Sequence, residues 1–178
     1  QNDGSQEITV PLTPAPFCRI MIQPTNNIYF AVNNLDFSID YSIEKTCNTY
    51  NDTPNMPISD NSSGFDETPI VIPGDFKLSD VNISIDITHS WLSDLLVSIL
   101  SPDGTEIKLI ERACTSNEDL LVTFNDTGEN INCQSPTLGT FVPSESLSNL
   151  NDESGNGTWT IRINDNGAED IGTLKSLL

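Results

Sequence analysis

Apolar and polar residues alternate along most of the chain. The alternation is clearest over residues 81–87, which read VNISIDI, and over residues 159–163, which read WTIRI. A repeat of two is typical of a strand with one buried face. Turn sequences such as Pro102-Asp103-Gly104 separate these runs, and no window carries the 3.6-residue apolar stripe of a helix. The pattern predicts an all-β fold, an antiparallel, jelly-roll-like β-sandwich.

The N-terminal part of the chain has a weaker pattern than the rest. Its short strand candidates are residues 8–10, 19–22, 27–32 and 37–43. They are too few to enclose a large core, so residues 1–47 are predicted to be a short β segment of a neighbouring domain. Residues 48–68 are dominated by Asn, Asp, Thr, Ser and Pro, which predicts a linker. Residues 69–178 are then the main domain.

The net charge narrows the range of partners. Acidic residues outnumber basic ones by 26 to 7, which gives a formal charge of −19. That excess repels phosphate backbones and anionic lipids, so neither nucleic acid nor a membrane is expected as a partner. No run approaches the roughly 18 apolar residues of a membrane span, and any export signal is expected to be already removed. The same acids supply the oxygen ligands that calcium prefers, although a solvated acidic surface is the simpler interpretation.

The four cysteines, at positions 18, 47, 114 and 133, are too far apart for a CxxC metal or redox motif. Four cysteines allow three pairings, and spacing alone does not choose among them. We favour Cys18–Cys47 and Cys114–Cys133, because these nearest-neighbour pairs respect a division of the chain near residue 55. Either disulfide would indicate an oxidising location, secreted or at the cell surface.

Several short motifs follow one another along the chain in a specific order and spacing. They are ITHSWLSDL at Ile87–Leu95, LSPDGT at Leu100–Thr105, GTFVP at Gly139–Pro143 and GTWTI at Gly157–Ile161. Together they resemble the P domain, the β-sandwich that follows the catalytic domain in subtilisin-like proprotein convertases and in many exported bacterial proteases. The resemblance begins near Pro57 and covers about two thirds of the chain.

The start of the chain resembles a different module. Asp3-Gly4-Ser5, Cys18–Met21 and Asn27–Phe30 are similar to the tail of an immunoglobulin-like module that precedes P domains in some bacterial metalloproteases. The resemblance implies that residues 1–47 are part of such a module.

The resemblance to P domains implies a role and a cofactor. It implies a non-catalytic domain that stabilises or positions an upstream protease catalytic domain, with a protein substrate as a further candidate partner. It also implies structural calcium, for which the candidate ligands are Asp94 at the Trp-x-x-Asp-Leu corner and Asp119 and Asp126 between Cys114 and Cys133. Each of these aspartates could instead be an ordinary turn residue. Asp165, Asn166 and Asp170 form a second group, which also reads as a hairpin connection.

The histidine content argues against catalysis by this chain. His89 is the only histidine, so a zinc site of the HExxH kind cannot be built. A Ser-His-Asp triad would have to draw on Asp86, Ser90, Ser93 or Asp94. Neighbours on a strand point to opposite faces, and no nucleophile elbow accompanies them. His89 is therefore expected to pack and to form hydrogen bonds at a strand end.

The exposure of the two tryptophans would distinguish the accessory role from an alternative function. Trp91 and Trp159 both lie in or beside alternating strands, where an aromatic side chain usually belongs to the core. The alternative function is an extracellular module that binds protein or polysaccharide. An exposed aromatic patch would favour that alternative.

Overall fold

The chain forms two compact units that divide between Asn48 and Thr49. The structure, a computed structural model, describes residues 7–10, 13–40 and 45–178. Asp3-Gly4-Ser5 and the last three residues of the strand expected at 37–43 lie outside the described residues.

The first unit consists of short paired strands. They are β1 (Ala15–Cys18), β2 (Met21–Ile22), β3 (Ala31–Val32) and β4 (Phe37–Ile39), with β1 antiparallel to β4 and β2 antiparallel to β3. The large apolar side chains of these strands are mostly exposed. The described part of residues 1–47 therefore contains short β strands, as predicted, and their membership of a neighbouring immunoglobulin-like domain stays a prediction.

One expected disulfide is absent from this unit. The Cys18 and Cys47 thiols are both free, so the predicted Cys18–Cys47 pair is wrong in this structure. Even cysteine number and sequence proximity do not decide pairing, because a disulfide also needs the two Cβ atoms to face one another. The other pair, Cys114–Cys133, forms as predicted.

The second unit contains two sheets. Its strands are β5 (Met56–Ile58), β6 (Asp66–Ile72), β7 (Ile83–His89), β8 (Leu95–Leu100), β9 (Glu106–Glu111), β10 (Leu120–Glu129), β11 (Thr137–Phe141), β12 (Gly157–Asp165) and β13 (Gly172–Leu177). One sheet has five strands in the order β11-β10-β7-β13-β5, and the other has four in the order β6-β12-β8-β9. All pairs within these sheets are antiparallel except β10 with β11, which run parallel.

The alternation in the sequence explains which face of each strand is buried. In β7 the residues Ile83, Ile85, Ile87 and His89 are buried while the intervening residues are partly exposed, and β12 follows the same pattern. The inward side chains of both sheets belong to one continuous hydrophobic core. Burial of this apolar surface drives the two sheets together. The predicted all-β sandwich is confirmed.

The structure differs from the sequence prediction at residues 48–68. Instead of a linker, this segment supplies β5 and the first residues of β6, and Ile58 lies in the core. Both strands lie at sheet edges, where polar side chains meet solvent and where a proline such as Pro57 is tolerated because its missing N–H is not needed by a second neighbour. The composition of a polar edge strand is therefore close to that of a linker.

Short turns connect several strands. Two 3₁₀ turns occur, at Leu92–Asp94 and Leu147–Leu150, and the described residues include no α-helix. Consequently, the described ranges contain no helix with the length and apolar character needed to cross a membrane.

Candidate functional site

The ends of β7 and β12 bring together the single histidine and an aspartate. His89 Nε2 lies 3.1 Å from Asp165 Oδ2, and both side chains have 0% exposure. A second carboxylate oxygen, Asp165 Oδ1, accepts a hydrogen bond of 2.9 Å from the Gly167 N–H. Buried polar groups need such partners, because an unpaired one loses its hydration without compensation. The pair is a fully satisfied polar link between the two sheets.

The second ring nitrogen of His89 also has partners. His89 Nδ1 lies 3.1 Å from the Trp91 main-chain N and 3.0 Å from the Trp91 main-chain O. The adjacent hydroxyl, Ser90 Oγ, donates instead to Asp170 Oδ1 at 2.7 Å. A triad would need a hydroxyl at the second nitrogen and access for a substrate. The arrangement confirms that His89 packs and forms hydrogen bonds at a strand end.

Asp94, the first predicted calcium ligand, lies beside this pair. It ends the 3₁₀ turn, and its carboxylate packs so closely on Gly167 that a Cβ there would lie 1.9 Å from Asp94 Oδ2. Burial raises the pKa of Asp94, and repulsion from Asp165 and then from Asp170 raises it further. Asp94 therefore joins the two aspartates of the second predicted group.

Asp119 has a different set of contacts. Its Oδ1 accepts a hydrogen bond of 3.0 Å from the His89 N–H, and its own N–H donates to the His89 O at 3.0 Å. Its main-chain O accepts a hydrogen bond from the Thr137 N–H at 2.9 Å. These bonds make Asp119 a connector between the end of β7 and the start of β11.

Asp126 caps the second 3₁₀ turn. Its carboxylate accepts hydrogen bonds from Ser146 Oγ at 2.7 Å and from the Leu147 and Ser148 N–H groups, each at 2.8 Å. Partial burial acts to raise the pKa of Asp126, but the three hydrogen bonds outweigh it and the pKa is lowered. The carboxylate satisfies backbone donors that the turn leaves unpaired.

The three predicted calcium ligands do not share one site. Asp94 faces the 165–170 loop, Asp119 binds His89, and Asp126 binds residues 146–148. In the ranges that the structure describes, no group of three or more His, Cys, Asp or Glu side chains is arranged to hold a metal ion. Calcium binding itself stays a prediction.

The sequence placed Asp165 in a second candidate calcium group that also reads as a hairpin connection, and the structure makes it the partner of His89. A usable signal was present. Asp165 continues the inward-facing series Trp159, Ile161 and Ile163, just as His89 continues that of β7. Two polar residues in phase with buried residues at strand ends indicate a buried pair.

The two tryptophans have opposite environments. Trp159 is buried, as predicted, and its indole N–H donates to the Gly155 O at 3.0 Å. Trp91 has 44% exposure, so its predicted core position is wrong. The strand alternation stops at His89, and the 3₁₀ turn that follows places Leu92 rather than Trp91 in the core.

One known protein similar to this chain is a bacterial enzyme. Leupeptin-inactivating enzyme 1 of Streptomyces exfoliatus is 23% identical over 130 residues, which is 72% of this chain and 25% of that protein. The chain spans about a quarter of the length of this relative.

Two crystal structures are also similar to this chain. The serine protease of Aeromonas sobria matches 99% of this chain and 28% of its own chain, with 15% identity and a TM-score of 0.45. The same protease in complex with its chaperone matches 97% and 27%, with 14% identity and a TM-score of 0.46. These scores are too low to establish a shared architecture over the whole chain.

The family assignment comes from the sequence of the second unit. The model of the proprotein convertase P-domain matches residues 78–177, which is more than half of the chain and includes β7 to β13 with the His89–Asp165 pair. This chain therefore belongs to the proprotein convertase P-domain family.

Proposed function

We propose that this chain is a non-catalytic C-terminal accessory domain of a secreted bacterial protease, which stabilises or positions the catalytic domain or assists substrate engagement. The observation that carries the proposal is the family match over residues 78–177. The chemistry of the described residues supports it, since the single imidazole is buried and both of its nitrogens have structural partners.

An exported location is part of the same proposal. The Cys114–Cys133 disulfide supports it, because disulfides persist in oxidising compartments. The net charge of −19 supports high solubility outside the cell and gives no support to binding of nucleic acid or anionic lipid.

The accessory role is tested in the full parent protein. Deletion of residues 49–178 is expected to lower the yield of folded, active protease and its thermal midpoint, because contacts that form only in the folded state stabilise it. Unchanged yield, midpoint and activity on a protein substrate would contradict the proposal. In a separate assay, the purified chain is expected to leave casein intact, and cleavage that survives a second purification would show that it is an enzyme.

Calcium binding forms a second, separable part of the proposal. Of the predicted ligands, Asp94 is the one to test first, because repulsion from Asp165 and Asp170 contributes to its raised pKa and a divalent cation bound at the Asp94 carboxylate would offset that repulsion. Since the described residues hold no group of three such side chains around it, the remaining calcium ligands would be main-chain oxygens or water. The test is thermal unfolding of the chain in chelator, in millimolar calcium and in millimolar magnesium. A midpoint rise that is specific to calcium and lost in Asp94→Asn is the expected result. An unchanged midpoint would remove calcium from the proposal and leave the accessory role intact.

The alternative, an extracellular protein- or polysaccharide-binding module, is favoured by one observation. Trp91 is exposed at the end of the five-stranded sheet. Exposed tryptophans are enriched in binding surfaces because they combine a large apolar area with a polar N–H.

A further inference from the structure

Trp91 and Ile171 expose apolar surface at the same end of the five-stranded sheet. Ile171 has 77% exposure and Trp91 has 44%. They lie on adjacent strand ends, because His89 of β7 pairs with Gly172 of β13. The hydrogen bond from Ser90 Oγ to Asp170 Oδ1, at 2.7 Å, joins the two connections beyond that pair. We call Trp91, Ile171 and the partly exposed carboxylates of Asp94 and Asp170 the Trp91 surface.

The main chain around Trp91 is held on both sides. The Trp91 N–H donates to His89 Nδ1 at 3.1 Å, the Leu92 N–H donates to the Asn117 O at 2.9 Å, and the Ser93 N–H donates to the Thr115 O at 3.1 Å. Leu92 is buried beside it, and Cys114, bonded to Cys133, anchors the loop that supplies these acceptors. The exposed indole is therefore carried on an ordered backbone, which reduces the entropy that binding would cost.

The carboxylates beside this apolar area give it an excess of negative charge. Two partly exposed carboxylates lie beside it, since the Asp94 N–H donates to the Trp91 O at 3.2 Å and Asp170 Oδ1 accepts the hydrogen bond from Ser90, the residue before Trp91. Asp165 is fully buried and does not belong to this surface, but after burial it is the first charge that raises the pKa of Asp94 by repulsion, followed by Asp170. Arg112 is the nearby cation, and its guanidinium donates to the Asn164 O at 3.3 Å and to Asn164 Oδ1. The surface therefore combines an exposed aromatic side chain with the partly exposed Asp94 and Asp170, while the hydrogen bonds given for the Arg112 guanidinium go to Asn164.

We propose that the Trp91 surface binds a segment of a partner protein in which an arginine is next to an apolar side chain. A guanidinium can stack on the indole face while it donates to a carboxylate, and an apolar neighbour can cover Ile171. A second copy of this chain is a poor occupant, because each copy carries a charge of −19. A neutral polysaccharide would stack on Trp91 but would leave the carboxylates without a cation.

This inference rests on the proposed accessory role, because it takes the partner to be a protein. It adds the location of the contact and the chemistry of the residues that make it. The two can fail separately. Deletion of residues 49–178 from the parent tests the accessory role, whereas the experiment below tests the surface alone.

The test is a titration of the ¹⁵N-labelled chain, followed by its two indole N–H signals. Trp91 reports on the surface, and the buried Trp159 serves as an internal reference. The probe is a capped peptide with a central leucine flanked by two arginines, and the matched control peptide carries two glutamates instead. The expected result is a saturable shift of the Trp91 signal with the arginine peptide and none with the glutamate peptide. Raising the salt from about 20 mM to about 300 mM should weaken binding several-fold, because it screens the charges.

Variants separate specific binding from attraction to an acidic protein. Trp91→Ala is expected to weaken binding about tenfold or more, as monitored by the remaining backbone signals, while Leu138→Ala, an exposed leucine on β11, leaves it unchanged. Ile171→Ala is expected to weaken binding to a smaller extent. Three results would overturn the proposal: no shift with the arginine peptide, equal binding by Trp91→Ala, or an equal Trp91 shift with a neutral oligosaccharide. Self-association that accounts for the Trp91 shift would overturn it as well.

Discussion

The hydrogen bond between His89 and Asp165 joins the last residue of β7 to the last residue of β12, and so ties one sheet of the sandwich to the other. Neither side chain is exposed. Within the second unit, the contact lies at the strand ends near which Asp94, Asp170 and Trp91 also lie. Stability and the proposed binding surface therefore depend on the same few residues.

Removal of one member of this pair should destabilise the domain strongly. His89→Ala leaves the buried Asp165 carboxylate without its imidazole partner, and such a loss costs about 3 kcal/mol or more. The measurement is the free energy of unfolding in urea. Ser90→Ala, on the exposed neighbour, is the control and should cost much less. The double variant His89→Leu with Asp165→Leu should lose less free energy of unfolding than the sum of the losses in His89→Leu and Asp165→Leu alone. Simple additivity of these losses would contradict the pairing.

Asp126 should stabilise the domain in a pH-dependent manner. Its folded-state pKa is lowered, so its contribution is present above the ordinary pKa of an aspartate and is lost as the pH falls through the folded value. Asp126→Ala is expected to cost about 1 kcal/mol at neutral pH, because three hydrogen bonds to residues 146–148 are lost. The difference in thermal midpoint from the unmodified chain should shrink below pH 4. The exposed Asp80→Ala is the matched control, and a pH-independent difference would argue against the capping role.

The charge of the Asp94 carboxylate should destabilise the domain, which is the opposite of the effect of Asp126. Its folded-state pKa is raised, first by burial and then by Asp165 and Asp170, so the penalty for its charge develops as the pH rises above the ordinary value of an aspartate. In chelator at neutral pH, Asp94→Asn is therefore expected to unfold at the same or a higher temperature than the unmodified chain. Calorimetry at neutral and acidic pH provides the measurement, with the gain disappearing in acid. A lower midpoint for Asp94→Asn at neutral pH in chelator would show that the carboxylate stabilises the fold by itself.

The Cys114–Cys133 disulfide closes a loop with a sequence separation of 19. Its replacement by two serines is expected to cost about 3 kcal/mol, since the unfolded chain gains conformational freedom. Urea unfolding without reductant measures the loss. The control is the double serine variant at Cys18 and Cys47, whose thiols are free and whose replacement should leave the midpoint unchanged. An equal loss in that control would mean that the first unit contains the disulfide expected from the sequence.

The strands and their buried faces could be predicted from the sequence because the period of two is a local property. Residues 81–87 and 159–163 alternate, and their apolar members are the ones that the sandwich buries. The P-domain motifs lie in this same region, so the family could also be identified from the sequence. The Cys114–Cys133 pair followed from proximity along the chain.

Contacts between distant segments could not be predicted in the same way. Part of the linker expected at 48–68 instead forms edge strands, because β5 pairs with β13 and the first residues of β6 pair with β12. The local sequence carries no signal for these pairings. Trp91 lies outside the core because a 3₁₀ turn ends the strand alternation and buries Leu92 instead. The aspartates expected to share calcium took separate partners, His89 for Asp119 and residues 146–148 for Asp126.

The fold class, the inward face of each central strand and the family follow from the amino-acid sequence alone, since these depend on periodicity and on motifs that are local in the chain. The partner of His89, the exposure of Trp91 and the neighbours of Asp94 emerge only from the three-dimensional arrangement of the strands. Each of these depends on which strand ends meet, and hydrogen bonds and charge repulsion act over a few ångströms in space whatever the separation along the chain.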